Sequence, residues 1–382
     1  MDWYWFVIVV FIALVGTVVA TPLSMKIAKR VDAIDYPDGR RVNTQPTPRL
    51  GGVALFFGLM LSLGFIVVLN VMYPDVLHIR GFNQSINYFG VGAALAVMFA
   101  VGLIDDMFQI KPVIKLLGQV TAAIIACTSG VLFSHFLNPF EAGVINIGIW
   151  AYPVTVFYLV AFANIINLID GLDGLASGVV AICAVALCIL SFSRGSMDAA
   201  LMAVALAGAC VGFLYFNFHP AKVFLGDSGS LVLGFGLGLV SLFGVVRATA
   251  LISLLIPVVI AGIPVIDTFT AIIRRLRMGR PVFKADKAHV HHRLISFGFS
   301  QRRTVVIIYG ISIVLAALAI LIAQDQSFMR IVYVAVLIIL VALFIWRLGL
   351  FSSVLTHHYE RRQNSAAKKK PDQEQSDQEH EY

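Results

Sequence analysis

Residues 149–193 read IWAYPVTVFYLVAFANIINLIDGLDGLASGVVAICAVALCILSFS. Two apolar runs, 149–168 and 175–193, can each cross a ~30 Å hydrocarbon layer as a helix, and the polar stretch around Asp170 and Asp173 parts them. An ionised carboxylate at the centre of a helix in lipid costs on the order of 3 kcal/mol, so aspartates held between such runs point to work done at a membrane surface. The pattern recurs along the chain. Marking apolar stretches of about 17–22 residues predicts eleven spans: 3–23, 50–70, 86–104, 114–133, 149–168, 175–193, 198–216, 229–246, 250–271, 303–323 and 331–348. The 382 residues are 59% hydrophobic and 13% charged, against about 45–50% and about 25% in soluble domains. The expected fold is therefore an all-α polytopic integral membrane protein.

Basic residues orient the expected spans. If successive loops alternate sides, all but four of the 28 Lys and Arg residues fall on one side; the exceptions are Arg80, Arg194, Arg247 and Arg330. The positive-inside rule then predicts the N-terminus out and the C-terminus in. The first run, Trp3 to Pro22, lacks a basic leader and is read as a retained span. Residues 1–350 form one expected membrane domain with cytoplasmic segments at 24–49, 105–113, 169–174, 217–228 and 272–302. Residues 351–382 are expected to be a disordered charged tail. Net charge +7 is accounted for by this sidedness, so no nucleic-acid partner is expected. Cys127, Cys183, Cys188 and Cys210 lie in apolar runs without a CxxC pair and read as small core residues.

On this topology five aspartates face the cytoplasm: Asp105, Asp106, Asp170, Asp173 and Asp227. Three carboxylate groups converging at one interface could hold a divalent cation beside phosphate, because hard cations take oxygen ligands. In Gly102-Leu-Ile-Asp-Asp-Met-Phe-Gln-Ile-Lys-Pro, Asp105 and Asp106 can meet Mg²⁺ directly or through its waters, and Lys111 and Lys115 can meet phosphate oxygens. The bland alternative is a solvated helix end with charge pairs. In Asn164-Ile-Ile-Asn-Leu-Ile-Asp-Gly-Leu-Asp-Gly-Leu-Ala, Asn167, Asp170 and Asp173 recur every third residue, and Gly171 and Gly174 permit a turn or a close approach. Next, Asn217-Phe-His-Pro-Ala-Lys-Val-Phe-Leu-Gly-Asp-Ser-Gly-Ser sets Asp227 and Ser228 before a span, where backbone N–H groups and the helix dipole make an anion site. Phe224 is either core or a stacking platform for a base. The basic segment from Arg274 to Arg293 carries His289, His291 and His292 as H-x-H-H; without cysteine ligands, hydrogen bonding to a diphosphate is preferred over zinc. Asp267 stands one to two turns ahead of that loop.

Taken together and in this order, the four motifs resemble the polyprenyl-phosphate N-acetylhexosamine-1-phosphate transferase family over roughly residues 26–300. The resemblance implies transfer of a sugar 1-phosphate from a UDP-activated amino sugar to a polyprenyl phosphate in the cytoplasmic leaflet of the bacterial inner membrane, with release of UMP. It implies Mg²⁺, with Mn²⁺ as a substitute, held by Asp227 with Asp105 and Asp106 as further candidate ligands. The same pair would act in catalysis or in positioning the lipid phosphate. Asn167 and Asp170 would line the cleft, and Asp173, Asn217 and Phe224 would hold the uridine. Arg275, His289, His291 and His292 would lie near the diphosphate or sugar. Pro48-Arg-Leu-Gly-Gly and the R-R-x-R…F-K-A-D…H-x-H-H loop look more like the lipopolysaccharide and teichoic-acid branch than the muramyl-pentapeptide branch. UDP-N-acetylglucosamine and undecaprenyl phosphate are thus the expected substrates, with other UDP-N-acetyl sugars or the UDP-muramyl-pentapeptide as alternatives and a homodimer left open. Competing patterns fit less well. A DDxxD prenyl-diphosphate motif fails at Gln109, and a CDP-alcohol phosphotransferase motif fails at Ser177. A transporter would be expected to set its charges near the bilayer midplane on several helices.

Overall fold

Length and apolarity make the helices. The computed structural model describes residues 3–36, 46–72, 86–137, 144–244, 252–277, 289–325 and 327–348. Its helices are α1 (Tyr4–Arg30), α2 (Gly51–Met72), α3 (Tyr88–Phe108), α4 (Pro112–Thr128), α5 (Ala151–Ile169), α6 (Leu175–Ser193) and α7 (Met197–Asn217). They continue as α8 (Gly226–Gly244), α9 (Ile252–Ile260), α10 (Gly262–Arg277), α11 (Val290–Ser296), α12 (Gln301–Gln324) and α13 (Met329–Arg347). Among the described residues nine helices are long and apolar enough to cross a membrane, and α4 is a shorter apolar helix of 17 residues. The chain is an all-α polytopic membrane protein. Outward-facing Phe89, Phe157 and Trp346 leave large apolar surfaces exposed, as lipid contact requires. Two antiparallel ribbons interrupt the helices: β1 (Ile34–Asp35) with β2 (Thr47–Pro48), and β3 (His135–Leu137) with β4 (Val144–Asn146).

Two of the expected spans are redrawn. The fourth, placed at 114–133, is a helix over 112–128, because Pro112 suits the first helical turn and the chain then leaves Ser129 for β3. The ninth, placed at 250–271, is two helices, α9 and α10, parted at Ala261. Pro264 has no N–H to offer the carbonyl of Ile260, four residues back, and the Cys183 thiol donates to that oxygen instead at 3.4 Å. The tail 351–382 and the 278–288 part of the basic loop lie outside the described residues.

Helix α8 is the axis of the bundle. Every residue from Ser228 to Gly244 is buried, and α8 packs against α2, α3, α5, α6 and α7. Small residues allow this approach: a Cβ on Gly234 would lie 2.7 Å from the Cα of Ala163 on α5. Antiparallel neighbours bring the C-terminal ends of α3, α5 and α7 together with the starts of α4, α6 and α8, so the polar motifs share one end of the bundle.

Candidate active site

The start of α8 is built by its neighbours. At the end of α3, both oxygens of Asp106 accept backbone N–H bonds, from Asp227 at 2.8 Å and from Ser228 at 2.9 Å. A carboxylate on the exposed donors of a helix start is favourable for the hydrogen bonds and for the helix dipole. Two glycines let α3 come that close. A Cβ on Gly102 would sit 2.5 Å from the carbonyl oxygen of Asp227, and one on Gly226, whose φ is +71°, would sit 2.6 Å from an Asp106 oxygen.

Asp105 turns the other way. It accepts from the Ile110 N–H at 2.9 Å and from Lys115 Nζ at 2.8 Å, across the reversal made by left-handed Gln109 (φ +50°). Lys115 also donates to Asp227 Oδ2, so one ammonium bridges two carboxylates. On its other oxygen Asp227 accepts from Asn167 Nδ2 at 2.8 Å, and that amide also reaches Ser230 Oγ at 2.8 Å. One turn below Asn167, Asn164 exchanges amide bonds with Gln119 of α4, at 2.7 and 3.3 Å.

Opposite stands the turn between α5 and α6. Asp173 Oδ2 lies 2.8 Å from His219 Nδ1 and accepts from the Ala221 N–H at 3.1 Å. Asn217 ties three segments: its Oδ1 accepts from the Gly174 N–H at 3.0 Å and from Ser177 Oγ at 3.3 Å, and its Nδ2 donates to the Val223 carbonyl at 2.9 Å. Asp170 differs from these. Among the described residues no hydrogen-bond donor meets its carboxylate; burial first, then the charges of Asp227, Asp106 and Asp173, push it up to about 8.

The histidines divide by role. His289 Nδ1 lies 3.0 Å from Asp267 Oδ2, and the Val290 N–H donates to Asp267 Oδ1 at 2.8 Å, so Asp267 fixes the entry to α11. His291 packs on Gly171, where a Cβ would lie 2.7 Å from its Nε2; burial first, then neighbouring His292, lowers its pKa to about 3. His292 reaches the cavity.

That cavity, of about 670 Å³, is lined by Asp106, Asn167, Asp170, Asp173, Asn217, Phe224, Asp227 and His292 among the residues read from sequence. Asp105 and Lys115 stand behind Asp227, and His289 and His291 stand behind His292. Arg275 is instead buried on α10 away from the cavity lining, and Lys111 is exposed at the start of α4. Asp35, Thr47, Arg49, His219 and Gln301 also line the cavity. His219 and Arg49 sit inside motifs visible in the sequence; Gln301 carries no such signal. The expected ring of three carboxylate groups around one ion takes another form. Asp106 faces the backbone while Asp105 and Asp227 share an ammonium, and among the described residues no cluster of three or more His, Cys, Asp or Glu side chains is arranged to hold a metal.

The helical bundle opens at one end onto a carboxylate-lined cavity, and the sequence comparisons place it among membrane transferases. The chain belongs to glycosyl transferase family 4, whose sequence model matches residues 88–245, from α3 to the end of α8. It is 34% identical over 333 residues, 87% of this chain and 89% of the relative, to a Bacillus subtilis (strain 168) protein named "probable undecaprenyl-phosphate N-acetylglucosaminyl 1-phosphate transferase". It is 39% identical over 328 residues, 78% of this chain and 79% of the relative, to the decaprenyl-phosphate N-acetylglucosaminephosphotransferase of Mycobacterium tuberculosis (strain ATCC 25618 / H37Rv). A phospho-N-acetylmuramoyl-pentapeptide-transferase of Desulforudis audaxviator (strain MP104C) is 33% identical over 301 residues, 73% of this chain and 85% of that relative.

Proposed function

We propose that this protein transfers N-acetylglucosamine 1-phosphate from UDP-N-acetylglucosamine to undecaprenyl phosphate at the cytoplasmic face of a bacterial inner membrane. An oxygen of the lipid phosphate attacks the phosphorus that bears the sugar. The bond from that phosphorus to the oxygen bridging the two phosphates breaks, and UMP leaves with the bridging oxygen. The product is a lipid-linked sugar diphosphate, a first intermediate for a surface polysaccharide such as O-antigen, an enterobacterial-common-antigen-like polymer or teichoic acid. The observation that carries the reading is the meeting of three sequence-distant acidic segments at the start of α8. N-acetylglucosamine is preferred as the sugar because the relatives named for it share 34–39% identity over 78–87% of this chain, against 73% coverage for the relative named for the muramyl pentapeptide.

The donor set suits Mg²⁺, which takes one or two carboxylates and completes its shell with waters and substrate phosphates. Asp227, on the cavity wall, would hold it; Asp105, with one oxygen on the Ile110 N–H and the other on Lys115, and Asp106, with both oxygens on the backbone of α8, position Lys115 and Asp227. When bound, the ion would neutralise the donor diphosphate and stabilise the departing UMP. Asn167 keeps Asp227 oriented through Oδ1. A phosphate monoester has a second pKa near ~6, so at neutral pH the lipid phosphate arrives largely as the dianion and needs alignment more than proton removal. Half-buried Phe224 offers a face for the uracil, beside the Asp173–His219 pair. The test is direct. Purified protein with Mg²⁺, undecaprenyl phosphate and a panel of UDP-sugars should release UMP and form a lipid diphosphate with UDP-N-acetylglucosamine; no lipid product with any donor overturns the reading.

A further inference from the structure

Arg49 lies in the short link between β2 and α2, outside the stretch that the family model matches. Its backbone N–H donates to the Ala33 carbonyl at 3.0 Å, and its own carbonyl oxygen would lie 2.5 Å from a Cβ at Gly226. The chain at Arg49 is thus pressed against the Gly226–Asp227 turn, and Arg49 is one of the residues of the cavity wall. Five aspartates line that wall: Asp35, Asp106, Asp170, Asp173 and Asp227. Arg49 is the one lysine or arginine among the described lining residues. The neighbouring Lys115 ammonium is already held by Asp105 and Asp227, and the His219 ring by Asp173. Arg49 Nε is buried and meets no hydrogen-bond acceptor among the described residues. Arg49 as a whole is half-buried in the cavity lining, and buried polar groups are nearly always partnered, so an unpartnered guanidinium nitrogen on such a residue points to an acceptor supplied by a ligand.

We infer that Arg49 is a phosphate-binding residue of this cavity, its guanidinium taking phosphoryl oxygens of a substrate held beside Asp227. The planar fork matches phosphate oxygens in a way a lysine cannot, and a substrate carrying two or more negative charges beside Asp227 and its acidic neighbours needs such a counter-charge. The inference rests on the phosphate transfer proposed above. The phosphate could be that of the nucleotide diphosphate or that of the polyprenyl lipid; both present the same oxygens.

The full chain in lipid nanodiscs, native and Arg49→Ala, separates the two. Steady-state KM is measured for UDP-N-acetylglucosamine and for undecaprenyl phosphate, alongside the thermal shift caused by UDP with Mg²⁺, which requires no turnover. Loss of a charged hydrogen bond should lower kcat/KM on the order of ten- to a hundredfold. A raised donor KM with a lost UDP shift assigns the nucleotide diphosphate; a raised KM for the lipid alone, with the UDP shift intact, assigns the lipid phosphate. Arg49→Lys should recover part of the loss. Should Arg49→Ala not fold, Arg49→Gln is read by the same three measurements. Native turnover together with unchanged KM values and an unchanged UDP shift in the folded variant overturns the inference. A native protein that turns over no donor and shows no UDP shift overturns the proposed transfer itself.

Discussion

Asp105 and Asp106 are adjacent in the chain, yet the ~100° step between successive residues of an α-helix sends them to different work. One reaches Lys115 and the other the backbone of α8. The acidic pair is legible in the sequence; which member faces the backbone depends on how α3 meets α8, and so does the engagement of Asn217 by three other segments. Asp170 allows a test of its own. Folded, it keeps its proton up to about 8, whereas an unfolded aspartate releases it at the ordinary carboxylate value. Between those two values the folded state binds the extra proton, so the contribution of Asp170 to stability falls as pH rises through that window and levels off above about 8. Asp170→Asn cannot ionise and should flatten this part of the profile, giving its largest gain over the native protein at the alkaline end. Thermal unfolding in detergent from about pH 5 to about pH 9 reads the effect; native and variant curves that run parallel would contradict it.

At the level of elements, the register between α4 and α5 sets the geometry around Asp227. Lys115 rides on α4, Asn167 on α5, and the reciprocal Gln119–Asn164 amide pair pins the two helices one turn below. Gln119→Leu leaves Asn164 with the Val160 carbonyl alone. It should cost about 1–3 kcal/mol in stability and lower turnover, with partial recovery when the amides are exchanged as Gln119→Asn and Asn164→Gln. Thermal unfolding and kcat measured together check this; an unchanged melting temperature in Gln119→Leu would refute the pinning role. Apolar run length located nearly every helix because a span must satisfy its own backbone in lipid. It did not locate the break at Ala261, since proline is tolerated inside an apolar run when a neighbour such as Cys183 takes over the freed carbonyl. Nor could it find Gln301, which reaches the cavity only because α12 docks on the turn at Gly174, where Tyr309 donates to the Gly174 carbonyl at 2.5 Å.

For the molecule as a whole, one end of the bundle gathers the acidic helix ends and the cavity, and the proposed reaction, together with the bias of basic residues, predicts that this end faces the cytoplasm. In intact cells a cysteine introduced as Asp2→Cys should react with a membrane-impermeant maleimide, and one introduced as Ser353→Cys should react only after permeabilisation. The reverse labelling would invert the orientation. Helix α8, buried along its length, carries the account, because its first turn holds Asp227 where α3, α4 and α5 converge. The most direct measurement is a Mg²⁺ titration of UMP release by native protein and Asp227→Asn in the same nanodiscs, with folding checked by thermal unfolding. Turnover that rises with Mg²⁺ in the native protein and is lost in a folded Asp227→Asn is the predicted result; near-native, Mg²⁺-dependent turnover in that variant would contradict it.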